Sequence, residues 1–165
     1  MSGEQVLRLL RDLEAIGLVA WVDGGWGVDA LVGEQTREHS DLDVVIAEDA
    51  LAPVRSMLEE AGFEVLRDVL PTALALRHPD GREVDLHLVH PTADGGGDQV
   101  QPDGRCWHYD PPVTGVIAGH AVLCCPLATQ LRAHIGYEPD ATDIADMRLL
   151  EQRFGCELPP PYGTP

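Results

Sequence analysis

The sequence predicts an α+β fold: a mixed β-sheet flanked by helices, with a short helical part towards the C-terminal end. Three observations predict it. Apolar residues recur at helical spacing at the start of the chain, in the fifties and near the end, with short apolar or alternating runs between them. The resulting order is helix, strand, helix, strand, helix, strand, hairpin, then helices. The chain has 165 residues, 44% of them hydrophobic and spread along its length, enough for one core and too few for two full domains. One unit is expected over residues 1–158, with helices at about 126–155 packing on it and residues 159–165 as a loose tail.

Val6, Leu9, Leu10, Leu13 and Ile16 make the first amphipathic helix, and Gly17 stands at its C-cap. Leu18 to Val22 reads as a short buried strand that delivers the chain to Gly24-Gly25. Trp26 to Val32 reads as a short helix, for which Asp23 stands at a capping position; its first N–H groups would lie beside the glycines. Trp26 is expected to pack, and Asp29 to bond a nearby loop. A polar loop, residues 33–40, leads to a strand over Leu42 to Ile46. Asp49 is expected to cap a helix over Ala50 to Ala61, ended by Gly62.

Phe63 to Leu66 reads as a strand. Thr72 to Arg77 and Arg82 to Val89 flank His78-Pro79-Asp80-Gly81 as a hairpin. In its second arm Val84, Leu86 and Leu88 face one side, and Glu83, Asp85 and His87 the other. The pattern dissolves from His90 to Pro112, apart from a small hairpin ending at Cys106-Trp107-His108-Tyr109. Val113 to Leu123 reads as another hairpin about Gly119-His120. Leu127 to Ile135 and Thr142 to Phe154 read as helices, the second with Ile144, Met147, Leu150 and Phe154 on one face.

The formal charge of −17 disfavours nucleic acid as a partner, because phosphates need basic contacts. It suits a cationic small molecule, and equally serves solubility. No apolar run is long enough to cross a bilayer, so a cytoplasmic protein with no membrane contact is expected. Cys106, Cys124, Cys125 and Cys156 show neither zinc nor disulfide spacing and are expected to be reduced thiols.

The chemistry gathers in residues 23–46. A glycine pair follows an apolar run, and Asp41 and Asp43 stand one residue apart at the head of another. On a strand both carboxylates point the same way. An isolated Asp-x-Asp is commonly a solvated strand end. Behind a glycine turn able to cradle phosphate, the pair points to divalent cations.

Gly24-Gly25-Trp26-Gly27-Val28-Asp29-Ala30-Leu31, then Gln35-Thr36-Arg37-Glu38-His39 and Asp41-Leu42-Asp43, resembles the small antibiotic nucleotidyltransferases. These are the lincosamide nucleotidyltransferases and the aminoglycoside 2''-nucleotidyltransferases of the polymerase-beta-like superfamily. Val116-Ile117-Ala118-Gly119 and His134-Ile135-Gly136-Tyr137-Glu138, with Asp143 and Asp146 after them, extend the resemblance to most of residues 21–150. It implies the nucleotidyltransferase fold and transfer of AMP from ATP to a hydroxyl of a small antibiotic-like acceptor, with release of pyrophosphate. Two Mg²⁺ ions would be held by Asp41, Asp43 and Asp85, and Asp85 would serve as ligand or base, with Glu83 the fallback base. Gly24 and Gly25 would offer N–H groups to phosphate. Arg37 would clamp phosphate or pair with Glu38 or Asp41, and His39 would touch phosphate or hold the loop.

His87 and His90 invite a zinc reading that no ligand spacing supports. Glu83, Trp107, Tyr109 and Tyr137 are candidates to line the cleft of an amine-bearing acceptor, which a homodimer could complete. Two departures stand out: Asp140, where lincosamide-type relatives tend to carry a basic residue, and Ala145, where they tend to carry His. Rival readings are adenylylation of a protein partner, as in toxin–antitoxin pairs, and a non-catalytic nucleotide-binding homologue.

Overall fold

Residues 1–163 are described by a computed structural model of the chain; Thr164 and Pro165, part of the expected tail, lie outside the described residues. Ser2 starts α1 (Gly3–Ala15) with a capping box, its side chain accepting from the Gln5 amide while the Gln5 side chain accepts from the Ser2 N–H. The Val6, Leu9 and Leu13 stripe is buried, whereas Ile16 is the exposed C-cap. Then follow β1 (Trp21–Asp23), α2 (Gly24–Val32) and β2 (Asp41–Ala47). α2 begins at Gly24, two residues earlier than the apolar pattern suggests, because Gly24 turns the chain at φ +57° straight out of β1. Asp23 occupies the N-cap position but makes no side-chain capping bond.

A 3₁₀ turn over Glu48–Ala50 precedes α3 (Leu51–Glu60), so Asp49 lies inside that turn and caps nothing. β3 (Glu64–Val69), β4 (Ala73–Arg77) and β5 (Glu83–Pro91) form a meander. The expected small hairpin is β6 (Gly97–Val100) with β7 (Cys106–Tyr109), and the next is β8 (Val113–Ile117) with β9 (His120–Cys124). α4 (Leu127–Ala133) and α5 (Ala141–Phe154) complete the order.

Among the described residues nine strands share one mixed sheet, in the order β3-β4-β5-β2-β1-β9-β8, with β6 on the end of β5 and β7 on β6. β2 runs parallel to β5 and antiparallel to β1, which in turn runs parallel to β9. Alternation along the strands sorts the two faces. Leu42, Val44 and Ile46 of β2, Leu74 and Leu76 of β4, and Val84, Leu86 and Leu88 of β5 join one buried cluster with Val6 and Leu13 of α1 and Val54 and Leu58 of α3. The polar residues between them face the other way.

α4 and α5 pack against α2. A second cluster there holds Val28 of α2, Met147 and Leu150 of α5, and Leu158 and Tyr162. Residues 159–163 are therefore not the loose tail expected. A turn from the Tyr162 N–H to the Pro159 carbonyl, at 2.9 Å, returns the ring to a buried place on α5. Only half of the α5 stripe is covered, since Ile144 and Phe154 stay exposed. The four cysteines are free thiols. No helix among the described residues is long and apolar enough to cross a membrane.

Candidate active site

Three adjacent strands carry an aspartate at matching heights. Asp23 of β1 stands opposite Asp43 of β2, and Asp43 stands beside Asp85 of β5. Asp43, Asp85 and His87 each offer a ligand atom, all within 4.8 Å of one another. His87 Nε2 lies 3.3 Å from Asp43 Oδ1, and its Nδ1 lies 3.4 Å from the Gln99 amide nitrogen. Asp85 accepts from the Arg67 guanidinium through Oδ2, while its Oδ1 is buried without a partner. Asp41 is one register step away, beside Glu83. It borders an adjoining groove of about 340 Å³ with Arg67, Glu83 and Asp85, and stays outside the three-residue group.

So many carboxylates on one face perturb each other. Burial pushes the Asp41 carboxyl above its ordinary value, and the Asp43 charge adds to that. Asp23 is raised too, chiefly by burial, although His87 and the Gly24 N–H pull the other way. For His87 burial works against the charged ring. The hydrogen bond to Asp43 and the charges of Asp43, Asp23 and Asp85 outweigh it, lifting the imidazole to about 9.

The glycine pair has a steric reason. A Cβ at Gly24 would run into Asp43 Oδ2, and one at Gly25 into the Arg37 guanidinium and the His39 ring. The turn therefore lies against both the acidic row and the loop that follows α2. Asp29 of α2 ties that loop down, accepting from the Thr36 N–H at 3.1 Å and Oγ1 at 2.5 Å, with His39 Nε2 2.5 Å from its other oxygen. His39 holds the loop through this contact, its ring buried beside Trp26 and lying against Gly25. Arg37 forms its ion pair with the Asp146 carboxylate of α5 rather than with that of Glu38 or Asp41.

A cleft of about 480 Å³ opens beside the glycine turn. Gly24, Gly25, Arg37, Asp43 and His87 border it together with Trp107, Tyr109, Arg132, Tyr137 and Asp146. Three of the four expected acceptor-side residues are thus on its wall. Glu83 lies instead in the neighbouring groove, paired with Arg77. His90 is exposed and pairs with Glu48, apart from His87. Asp140 is the N-cap of α5, accepting from the Thr142 and Asp143 amides, a task no basic side chain performs.

Sequence reasoning missed four participants. Asp23 stands at a capping position in the sequence, yet its Oδ1 accepts from Gln130 Nε2 at 2.9 Å on the cleft wall. Gln99 and Arg67 carry no local signal, because each reaches the site from another strand; Asp146 stands in the sequence as part of the resemblance alone, with nothing local to tie it to Arg37. His87 was on the right face by alternation, and its spacing two residues after Asp85 was the signal available.

Comparison with known proteins places the chain in a family. Residues 5–150 match the family model described as aminoglycoside-2''-adenylyltransferase. The chain is 30% identical to a lincosamide resistance protein of Staphylococcus haemolyticus over 153 residues, 92% of this chain and 95% of that one. It is 26% identical to a 2''-aminoglycoside nucleotidyltransferase of Escherichia coli over 122 residues, 71% of this chain and 63% of that one. The crystal structure of the lincosamide antibiotic adenylyltransferase LnuA with lincomycin superposes with a TM-score of 0.81 at 29% identity, covering 90% of this chain and 95% of that one. ANT(2'')-Ia in complex with adenylyl-2''-tobramycin shares the fold, with a TM-score of 0.74 at 21% identity over 91% and 87% of the two chains. The chain belongs to the aminoglycoside-2''-adenylyltransferase family and is a nucleotidyltransferase with that family's mixed-sheet fold.

Proposed function

We propose that the protein transfers AMP from ATP to a hydroxyl of a small antibiotic of the lincosamide or aminoglycoside class, in the cytoplasm and with Mg²⁺. The observation that carries this reading is the register that sets Asp43 beside Asp85, next to the glycine turn. The donor set suits a hard cation: two carboxylates within 4.8 Å, one with a buried oxygen lacking any partner, and Asp41 one step away on the same face. Two Mg²⁺ ions at Asp41, Asp43 and Asp85 would supply charge neutralisation at the attacked phosphate and the departing pyrophosphate.

The chain's own groups do the rest. Backbone N–H groups at Gly24 and Gly25, at the start of α2, cradle the outer phosphates. Arg37 adds a guanidinium at the same turn. Asp85 takes the proton of the acceptor hydroxyl, whose oxygen attacks the α-phosphorus while the bond to pyrophosphate breaks. Aromatic Trp107, Tyr109 and Tyr137 offer an apolar wall for the acceptor, and the acidic surroundings favour one bearing an amine. The acceptor class follows the names its relatives carry.

The purified protein, incubated with ATP, Mg²⁺ and a panel of lincosamides and aminoglycosides, should add the mass of one AMP to at least one antibiotic. Asp43→Asn should abolish that transfer with the circular dichroism spectrum unchanged. A panel in which no antibiotic gains AMP, or an active Asp43→Asn enzyme, defeats the reading.

A further inference from the structure

Arg37 lays Nε on Asp146 Oδ1 at 3.2 Å and Nη2 on Oδ2 at 2.7 Å. Two parallel bonds to one carboxylate fix the plane of a guanidinium as well as its place. Asp146 belongs to α5, 109 positions further along the chain, and is buried at the cleft wall. The same guanidinium covers the glycine turn, since a Cβ on Gly25 would collide with Nη2. Nη1 also reaches towards the Glu38 carbonyl at 3.4 Å. That leaves one hydrogen on each terminal nitrogen without a partner, with Nη2 lying against Gly25.

We propose that Asp146 is a positioning residue for the nucleotide: it holds Arg37 flat against the glycine turn, so that the two remaining N–H groups meet a triphosphate. This rests on the reading of Arg37 as a phosphate clamp. The chain has a particular need for such a device. It carries 11 Lys and Arg against 28 Asp and Glu, and the other arginine of the cleft, Arg132, is already engaged by Asp110 and the His108 carbonyl. An arginine side chain loses much rotamer freedom when it is fixed. Held by Asp146 before the nucleotide arrives, Arg37 loses little of that on binding. Orientation thus offsets the drawback of a carboxylate near a polyphosphate.

The test is a double-mutant cycle on nucleotide binding, with the Kd of a non-hydrolysable ATP analogue and the KM for ATP as readouts. Asp146→Ala should raise both about 10-fold, with kcat within about threefold and the KM for the antibiotic unchanged. Asp146→Asn, which keeps the shape, should act in the same direction. Arg37→Ala should weaken nucleotide binding at least as much, and adding Asp146→Ala to it should change nothing further. Additive losses would overturn the proposal, as would unchanged or tighter nucleotide binding in both Asp146 variants while Arg37→Ala weakens it. If Arg37→Ala itself leaves nucleotide affinity unchanged, the clamp reading fails first and the proposal with it.

Discussion

Arg67 and Asp85 meet across Ala75 because a β-bulge turns the arginine over. β3 pairs with β4 as Val65 to Leu76 and then Arg67 to Ala75, so the register shifts by one residue at Leu66. Leu76 is a core residue and Ala75 faces the site, beside Asp85 in the next strand. In a regular strand Arg67 would share the face of Val65 and point away from Asp85. The bulge re-aims it, and the small side chain of Ala75 leaves it room to reach Asp85.

Arg67 then stands as a counter-ion on a carboxylate proposed to hold a divalent cation, and the two positive charges compete. Arg67→Gln should tighten cation binding to the nucleotide-free protein by about threefold, a modest gain because the arginine is largely exposed to solvent. Mn²⁺ titration followed by electron paramagnetic resonance would read it. Equal or weaker binding in the variant would show that Arg67 is no competitor.

Gly24→Ala should be far more harmful than Gly33→Ala. Both glycines have positive φ, +57° and +81°, and a left-handed backbone costs an alanine about 1–2 kcal/mol. At Gly33 nothing lies within 4 Å of the added Cβ, whereas at Gly24 it strikes Asp43. Displacing that carboxylate should lower the transfer rate about 100-fold, while Gly33→Ala should lose stability alone. Parallel measurement of turnover and thermal unfolding separates the two.

His87 should make the cation-free protein sensitive to alkali. Its folded value of about 9 lies above the ordinary 6.5, so its charged form stabilises the fold fully below pH 6.5. That contribution is lost as the pH rises through about 9. Thermal midpoints in EDTA should therefore fall across this window, and more steeply for the natural chain than for His87→Gln. Identical slopes would contradict the charge balance described around Asp43.

Tyr162 should prove part of the core. It is buried with Val28, Met147 and Leu150, and its ring lies 6.4 Å from that of His134. Tyr162→Ala should cost about 3 kcal/mol, the lower end of the range for deleting a buried aromatic ring. A denaturation curve that does not shift would return residues 159–163 to the status of a tail.

The local rules were legible in the residues themselves. Alternation put Asp41 with Asp43, and Glu83 with Asp85 and His87, whichever strands they came to lie beside. Gly and Pro marked the hairpins, and the apolar stripes of α1 and α5 marked helices. Element ends were less legible: α2 starts two residues early because Gly24 takes a conformation that no pattern of apolar residues encodes.

By itself, then, the sequence determined which side chains share a face, where the chain turns, and that an acidic pair follows a glycine turn. Only the tertiary structure decided who meets whom. β2 lies beside β5, so Asp43 finds Asp85 and His87; α5 reaches the loop after α2, so Arg37 finds Asp146; a one-residue bulge brings Arg67 to Asp85. Backbone geometry sets the first kind of fact within a few residues. Packing of segments far apart in the chain sets the second, and short-range patterns carry no record of it.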